Sequence, residues 1–323
     1  METLNKSVLY ENMNEEELQN LINSKAFQVT KQYRSGAPWD CVAKTEVLVE
    51  TPFGNFKPRF EKTESRHKLY KSISFYENGV IKSITPQEQT TVKTNIGTFE
   101  AELITFHKNG SLNRIFPLNG QIDGFWTEQD EATLAKSYAF DLKVANFESK
   151  IISLQFYDTG ELRGLTLWPG ETINLKTPQG IAKCRIGFNL YPNGELKSFE
   201  PAEPFVLKSS IGEITAFDYD VLGIHSDRNA VSFYENGDLL YVKTPITSFI
   251  VQSANGRKRI APKTVINPLD NESVLVIANE IHFDKAEVSI NGVRYLDSEY
   301  QISAQTMMLL GSAPKGNISQ IAI

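Results

Sequence analysis

The densest set of side chains able to do chemistry is Asp218-Tyr219-Asp220 followed by His225-Ser226-Asp227. Carboxylates at Asp218, Asp220 and Asp227 with the imidazole of His225 are a ligand set for a hard or borderline divalent cation, provided the loop folds back on itself. A calcium loop would also need a glycine and a terminal glutamate at fixed offsets, and neither is present. The plainer reading is a solvated loop. Cys41, in Ala37-Pro38-Trp39-Asp40-Cys41, invites a nucleophile, which needs one of the four histidines, His67, His107, His225 or His282, beside it. A buried thiol is the simpler alternative. Cys184, in an alternating stretch over 182–188, reads as a core residue. Trp126 and Trp168 stand beside chain reversals, where an indole either anchors a partner or plugs the end of a core. Dinucleotide, P-loop, zinc-protease and nucleophile-elbow motifs are missing, so no nucleotide site and no cofactor is expected.

The chemistry that recurs is aromatic. Five stretches are near-copies: Phe75-Tyr76-Glu77-Asn78-Gly79, Phe106-His107-Lys108-Asn109-Gly110, Phe156-Tyr157-Asp158-Thr159-Gly160, Leu190-Tyr191-Pro192-Asn193-Gly194 and Phe233-Tyr234-Glu235-Asn236-Gly237. Asn-Gly between apolar stretches marks a hairpin. A two-residue loop would set Phe75 against Lys82. A three-residue loop pairs Phe75 with Ile81, Phe106 with Leu112, Phe156 with Leu162, Leu190 with Leu196 and Phe233 with Leu239. The second register is expected, with the glycine in the left-handed position of a bulge and Pro192 at its favoured turn site. It puts Tyr76, Tyr157, Tyr191 and Tyr234 on the face opposite the Phe/Leu row, with Glu161, Arg163, Glu195 and Lys197 around them. That face either offers a row of aromatic contacts or covers cross-strand neighbours.

A second turn class alternates with the first: Thr51-Pro52-Phe53-Gly54, Thr94-Asn95-Ile96-Gly97, Thr177-Pro178-Gln179-Gly180 and Ser209-Ser210-Ile211-Gly212. Alternating hairpins make an antiparallel meander, with one turn class expected along each edge. The Asn-Gly turns lie 31, 50, 34 and 43 residues apart, a repeat with insertions at 116–149 and 218–229. Thr127 can cap a short helix in the first insertion, and Asn14 can cap an amphipathic one over 15–22 that covers the first strand edge. The expected fold is all-β: a long antiparallel meander of repeated hairpins forming an open curled sheet, with two short helical insertions. Its divisions are a helical cap at 1–44, a first hairpin half at 45–116, the helical insertion at 117–149, a second half at 150–254 and a β capping unit at 255–323, where the repeat grammar stops.

Over Leu190 to Lys197, and more weakly Phe75 to Lys82, the chain resembles MORN-type repeats, closest to the variants of bacterial antitoxin-like proteins. The resemblance spans about residues 45–245 and implies a curled sheet used as an interaction surface, with no catalytic residues to carry over.

Hydrophobic residues at 41% and charged residues at 22% suit a globular core. A formal charge of −6 disfavours nucleic acid and anionic membrane surfaces. Two cysteines, no apolar run long enough to span a bilayer and no export signal fit a soluble cytoplasmic chain. The function expected is non-enzymatic binding or scaffolding, the repeated face holding a protein or peptide partner at Tyr76, Tyr157, Arg163, Tyr191, Tyr234, Trp126 and Trp168. The alternative is an enzyme, such as a metal-dependent hydrolase, at the 218–229 insertion. Open strand edges also permit self-association.

Overall fold

The computed structural model describes residues 7–9, 26–61, 71–120, 127–219, 229–267 and 274–306. The expected helix over 15–22, Trp126, Asp220, His225 and Asp227 lie outside them. The chain is nearly all β and divides into two compact units, Met1–Tyr138 with Lys150–Arg163, and Ala139–Ser149 with Gly164–Ile323.

In the first unit the sheet runs through Phe27–Gln32, Pro38–Ala43, Ile73–Phe75, Ile81–Ile84, Leu103–Phe106 and Leu112–Phe116 to residues 150–156 of the strand Ala145–Phe156, each antiparallel to the next. Phe75 pairs with Ile81 and Phe106 with Leu112, each after a register shift. The three-residue bulged loop is therefore present, with Gly79 and Gly110 at φ 85° and 86°. The pattern is dictated by burial. In this register Ile73, Phe75, Ile81, Ile84, Ile104, Phe106, Leu112 and Ile115 share one buried face. Each such side chain contributes about 1.5–3 kcal/mol, which a one-residue slip would forfeit. A further hairpin of this class, not recognised in the sequence, is Tyr33-Arg34-Ser35-Gly36-Ala37: Tyr33 N–H donates to Ala37 O and Gly36 N–H to Tyr33 O, as Tyr76 and Gly79 do with Val80 and Tyr76.

The second turn class departs from expectation. Thr94 pairs with Gly97, leaving a two-residue loop, and the Thr94 hydroxyl donates to Gly97 O while accepting from Ile96 N–H. Such turns do not close the edge of the main sheet. Ile84 pairs directly with Ile104, and the chain between them leaves as a separate ribbon, Thr90–Thr94 with Gly97–Ala101. The connection is too long for an edge turn and has its own alternation, burying Val92, Phe99 and Ala101, so it folds on itself. Leu48–Thr51 and Gly54–Phe56 form an equivalent ribbon, which Ser7–Leu9 joins in parallel. The helix Glu128–Leu134 forms as expected, Thr127 and Asp130 exchanging the reciprocal bonds of a capping box.

In the second unit residues 164–167 pair with Gly180–Leu190, followed by Leu196–Pro201, Val231–Phe233, Leu239–Thr244, Asn279–Phe283, Glu287–Ile290 and Val293–Leu296. Leu190 pairs with Leu196 and Phe233 with Leu239, again as expected. The strands of the C-terminal region continue this array: Asn279–Phe283 joins the sheet, and Gln301–Thr306 pairs with Thr247–Ser253. The repeat grammar also persists there, Ser253 and Gly256 closing another two-residue turn. Neither sheet closes. Among the described residues Phe27–Gln32 pairs only with Pro38–Ala43, and Val293–Leu296 only with Glu287–Ile290.

Besides Leu196–Pro201 on one edge, Gly180–Leu190 serves two partners on the other. Residues 180–185 pair with the ribbon strand Thr172–Thr177, and 187–189 with residues 164–166. The bend falls at Ile186 and Gly187, where a Cβ on Gly187 would stand 2.1 Å from Leu165 O. Backbone cannot yield there cheaply. Gly187→Ala is expected to cost more than about 3 kcal/mol, whereas Gly160→Ala, with open space around it, should cost about 1 kcal/mol. Urea unfolding midpoints of the two variants check the order.

Candidate functional site

Successive hairpins are tied by one repeated bond. Tyr33 Oη donates to Phe75 O at 3.0 Å and Tyr76 Oη to Phe106 O at 2.9 Å, while His107 Nε2 lies 3.0 Å from Phe156 O. In the second unit Tyr191 Oη donates to Phe233 O and Tyr234 Oη to Phe283 O, both at 2.9 Å. The residue that opens the bulged turn of one hairpin thus reaches the backbone of the next. The phenols of Tyr33 and Tyr76 titrate above the ordinary range, chiefly because burial disfavours the phenolate.

The ring faces carry cations. Lys82 Nζ lies 5.6 Å from the Tyr76 ring centroid and 5.5 Å from that of Trp39, which stacks on Tyr33. Arg163 covers Tyr157 at 5.9 Å and Lys197 covers Tyr191 at 5.4 Å. Each cation follows its bulge glycine by three residues, so the turn register delivers it. Leu240 has that place beside Tyr234, the most exposed of the four tyrosines at 36%. Tyr234 lines a cleft of about 360 Å³ with Lys143, Val144, Lys176, Pro178 and Glu195. Lys143 pairs there with Glu195. Trp168 is half-buried in a turn closed by Glu171 N–H on its carbonyl.

Asp218 is the one member of the expected metal set within the described residues, and it is buried. Its carboxylate accepts from Lys243 Nζ at 2.5 Å, and its backbone carbonyl accepts from Arg185 Nη2. Arg185 also faces Glu200 at 3.4 Å and stacks over Phe217. Glu200, fully buried, accepts the N–H of Ala230 at 2.8 Å. Asp218 and Ala230 bracket the 218–229 insertion, so this ionic group holds both of its ends. Burial pushes the Glu200 carboxyl up to about 7, against the opposing pull of the Ala230 N–H and Arg185. Burial also raises Tyr241, with Glu280, Asp218 and Glu200 adding to it. Among the described residues no group of three ligating side chains could hold a metal ion.

In the first unit Asp40 is also buried. Burial pushes its carboxyl up, but the Ser74 hydroxyl at 2.7 Å and the ammoniums of Lys71 and Lys31 hold it below the ordinary carboxylate value. Cys41 is buried, its thiol pushed up to about 12 by burial and then by Asp40, and burial raises the Cys184 thiol as well. Neither is a nucleophile at neutral pH. Glu200, Arg185 and Lys243 escaped the sequence reading. A signal existed for the polar face they share: the residue before Phe75, Phe106, Phe156, Leu190, Phe233 and Phe283 is polar, namely Ser74, Thr105, Gln155, Asn189, Ser232 and His282.

Comparison with protein-family models, curated proteins and solved structures finds no match to this chain. Among the described residues no helix is long and apolar enough to cross a membrane.

Tyr76→Phe and Tyr191→Phe keep the ring and delete one bond each, so each should lower stability by about 1 kcal/mol in urea unfolding. Glu200 titrates near 7 folded against 4.5 ordinarily, so the native state binds the extra proton between those values and stability contributed by this group falls as pH rises through them. Between pH 5.5 and 8, wild type should lose on the order of 2 kcal/mol relative to Glu200→Gln, read from unfolding midpoints at both pH values.

Proposed function

We propose that this chain is a non-enzymatic binding or scaffolding protein of the cytoplasm, MORN-like in its use of repeated hairpins, which holds a protein or peptide partner along its Asn-Gly turn edge. The observation that carries this reading is an aromatic ring with a cation over its face, repeated in each unit: Tyr76 with Lys82 and Tyr157 with Arg163 in the first, Tyr191 with Lys197 in the second. The hydroxyls of Tyr76 and Tyr191 are committed to backbone carbonyls, so those rings lose little freedom when a partner covers them. In the second unit the Tyr234 cleft adds an aromatic face over which no cation lies among the described residues.

Metal-dependent hydrolysis at the 218–229 insertion is the weaker reading, because the Asp218 carboxylate is turned onto an ammonium. A photoreactive amino acid placed at position 82, 163 or 197 in the native host should give the same discrete protein adduct from all three sites and none from Thr98, an exposed ribbon position. Adducts that differ from site to site, or no adduct, would remove the turn-edge reading.

A further inference from the structure

We propose that the outward face of two ribbons in the second unit, Thr172–Thr177 with residues 180–185 and Phe205–Ser209 with Gly212–Ala216, docks an extended, acidic and apolar segment of a partner protein. It shares Lys176 with the Tyr234 cleft but does not depend on the turn-edge reading, and the test alters residues outside that cleft.

Alternation creates it. Ile173, Leu175, Ala182 and Cys184 in one ribbon, and Leu207 and Ile214 in the other, point inward and are buried. Lys176, Ile181, Lys183, Val206 and Lys208 are thereby turned outward. The ribbons are held side by side: the Gln179 amide donates to Lys208 O at 2.9 Å and accepts from Lys208 N–H at 2.7 Å, and Ala202 N–H donates to Lys183 O. The display is therefore fixed rather than assembled on contact.

Two features select the occupant. Ile181 is 72% exposed and Val206 53%, a large apolar area to leave in water on a folded sheet. The ammoniums of Lys176, Lys183 and Lys208 make no ion pair among the described residues; Glu213 stands opposite Lys208, and Lys176 shares the Tyr234 cleft with Glu195, itself paired with Lys143, and Glu235. Free positive charge gathers here on a chain whose formal charge is −6. Charge complementarity calls for carboxylates, and the aliphatic side chains between the lysines call for apolar residues interleaved with them. A nucleic-acid backbone or an anionic bilayer would satisfy the lysines but not an interleaved pattern on two narrow ribbons.

The test uses the full chain and a fluorescein-labelled twelve-residue peptide, Glu-Leu-Asp-Phe repeated three times, in fluorescence anisotropy. Wild type should bind it, with affinity falling as salt rises from about 50 to about 300 mM. The combined Lys183→Glu and Lys208→Glu variant should bind about tenfold more weakly, and Ile181→Ser about threefold. Lys93→Glu, the matching ribbon position of the first unit, should bind as wild type. Thermal melts check folding. If the double variant fails to fold, the Ile181→Ser loss and the salt dependence decide. Affinity unchanged in the variants overturns the proposal. So does equal binding of the peptide with Ser for Leu and Phe, tighter binding of a single-stranded oligonucleotide or a phosphatidylserine vesicle, or no binding at about 1 mM peptide.

Discussion

The fold depends on a bond between a side chain and a backbone carbonyl one hairpin further on. Burying an apolar face aligns the hairpins, but hydrophobic contact is not directional and tolerates slippage. A phenol oxygen within 2.9 to 3.0 Å of one particular carbonyl does not. It fixes the spacing of neighbouring hairpins on the face away from the core. The ribbons repeat the device in backbone form: Lys93 N–H donates to Phe53 O, Lys176 N–H to Val144 O and Ala304 N–H to Ile211 O, so a turn tip rests on the next ribbon. Within a unit, neighbouring repeats are thus tied both through their bulged hairpins and through their ribbons.

Much of this was legible because the two turn classes obey local chemistry. Phe75 must meet Ile81 rather than Lys82, and that requirement alone selects the bulged loop with Gly79 at positive φ. What was not legible had local causes too. Ser35 stands where the other hairpins have Asn or Thr, which hid the first of them, and the turn from Ser253 to Gly256 falls at about residue 255, where the grammar was expected to stop. Arg257, Lys258 and Arg259 lie on the exposed strand Gly256–Ile260, where charge suits a sheet edge.

The ionic group at Asp218 shows the other limit. Its members come from separate strands, Arg185, Glu200 and Lys243, brought together by register across the sheet. Nothing in the spacing of Asp218, Asp220 and His225 reveals an ammonium facing the first of them. An acidic run in sequence became a carboxylate paired in the interior, with Glu200 forced to share the site at the cost of its ordinary titration.

The tyrosine bond always points forward along the chain, from Tyr33 to Phe75, from Tyr76 to Phe106, from Tyr191 to Phe233 and from Tyr234 to Phe283. The series ends where Asp284 takes the tyrosine's place and turns its carboxylate onto the neighbouring Lys285 N–H. On the ribosome every donor therefore emerges before its acceptor, and each hairpin waits for the following one before it is locked. Duplicating an internal repeat would preserve this vectorial order, while copies appended after Asp284 would find no donor awaiting them.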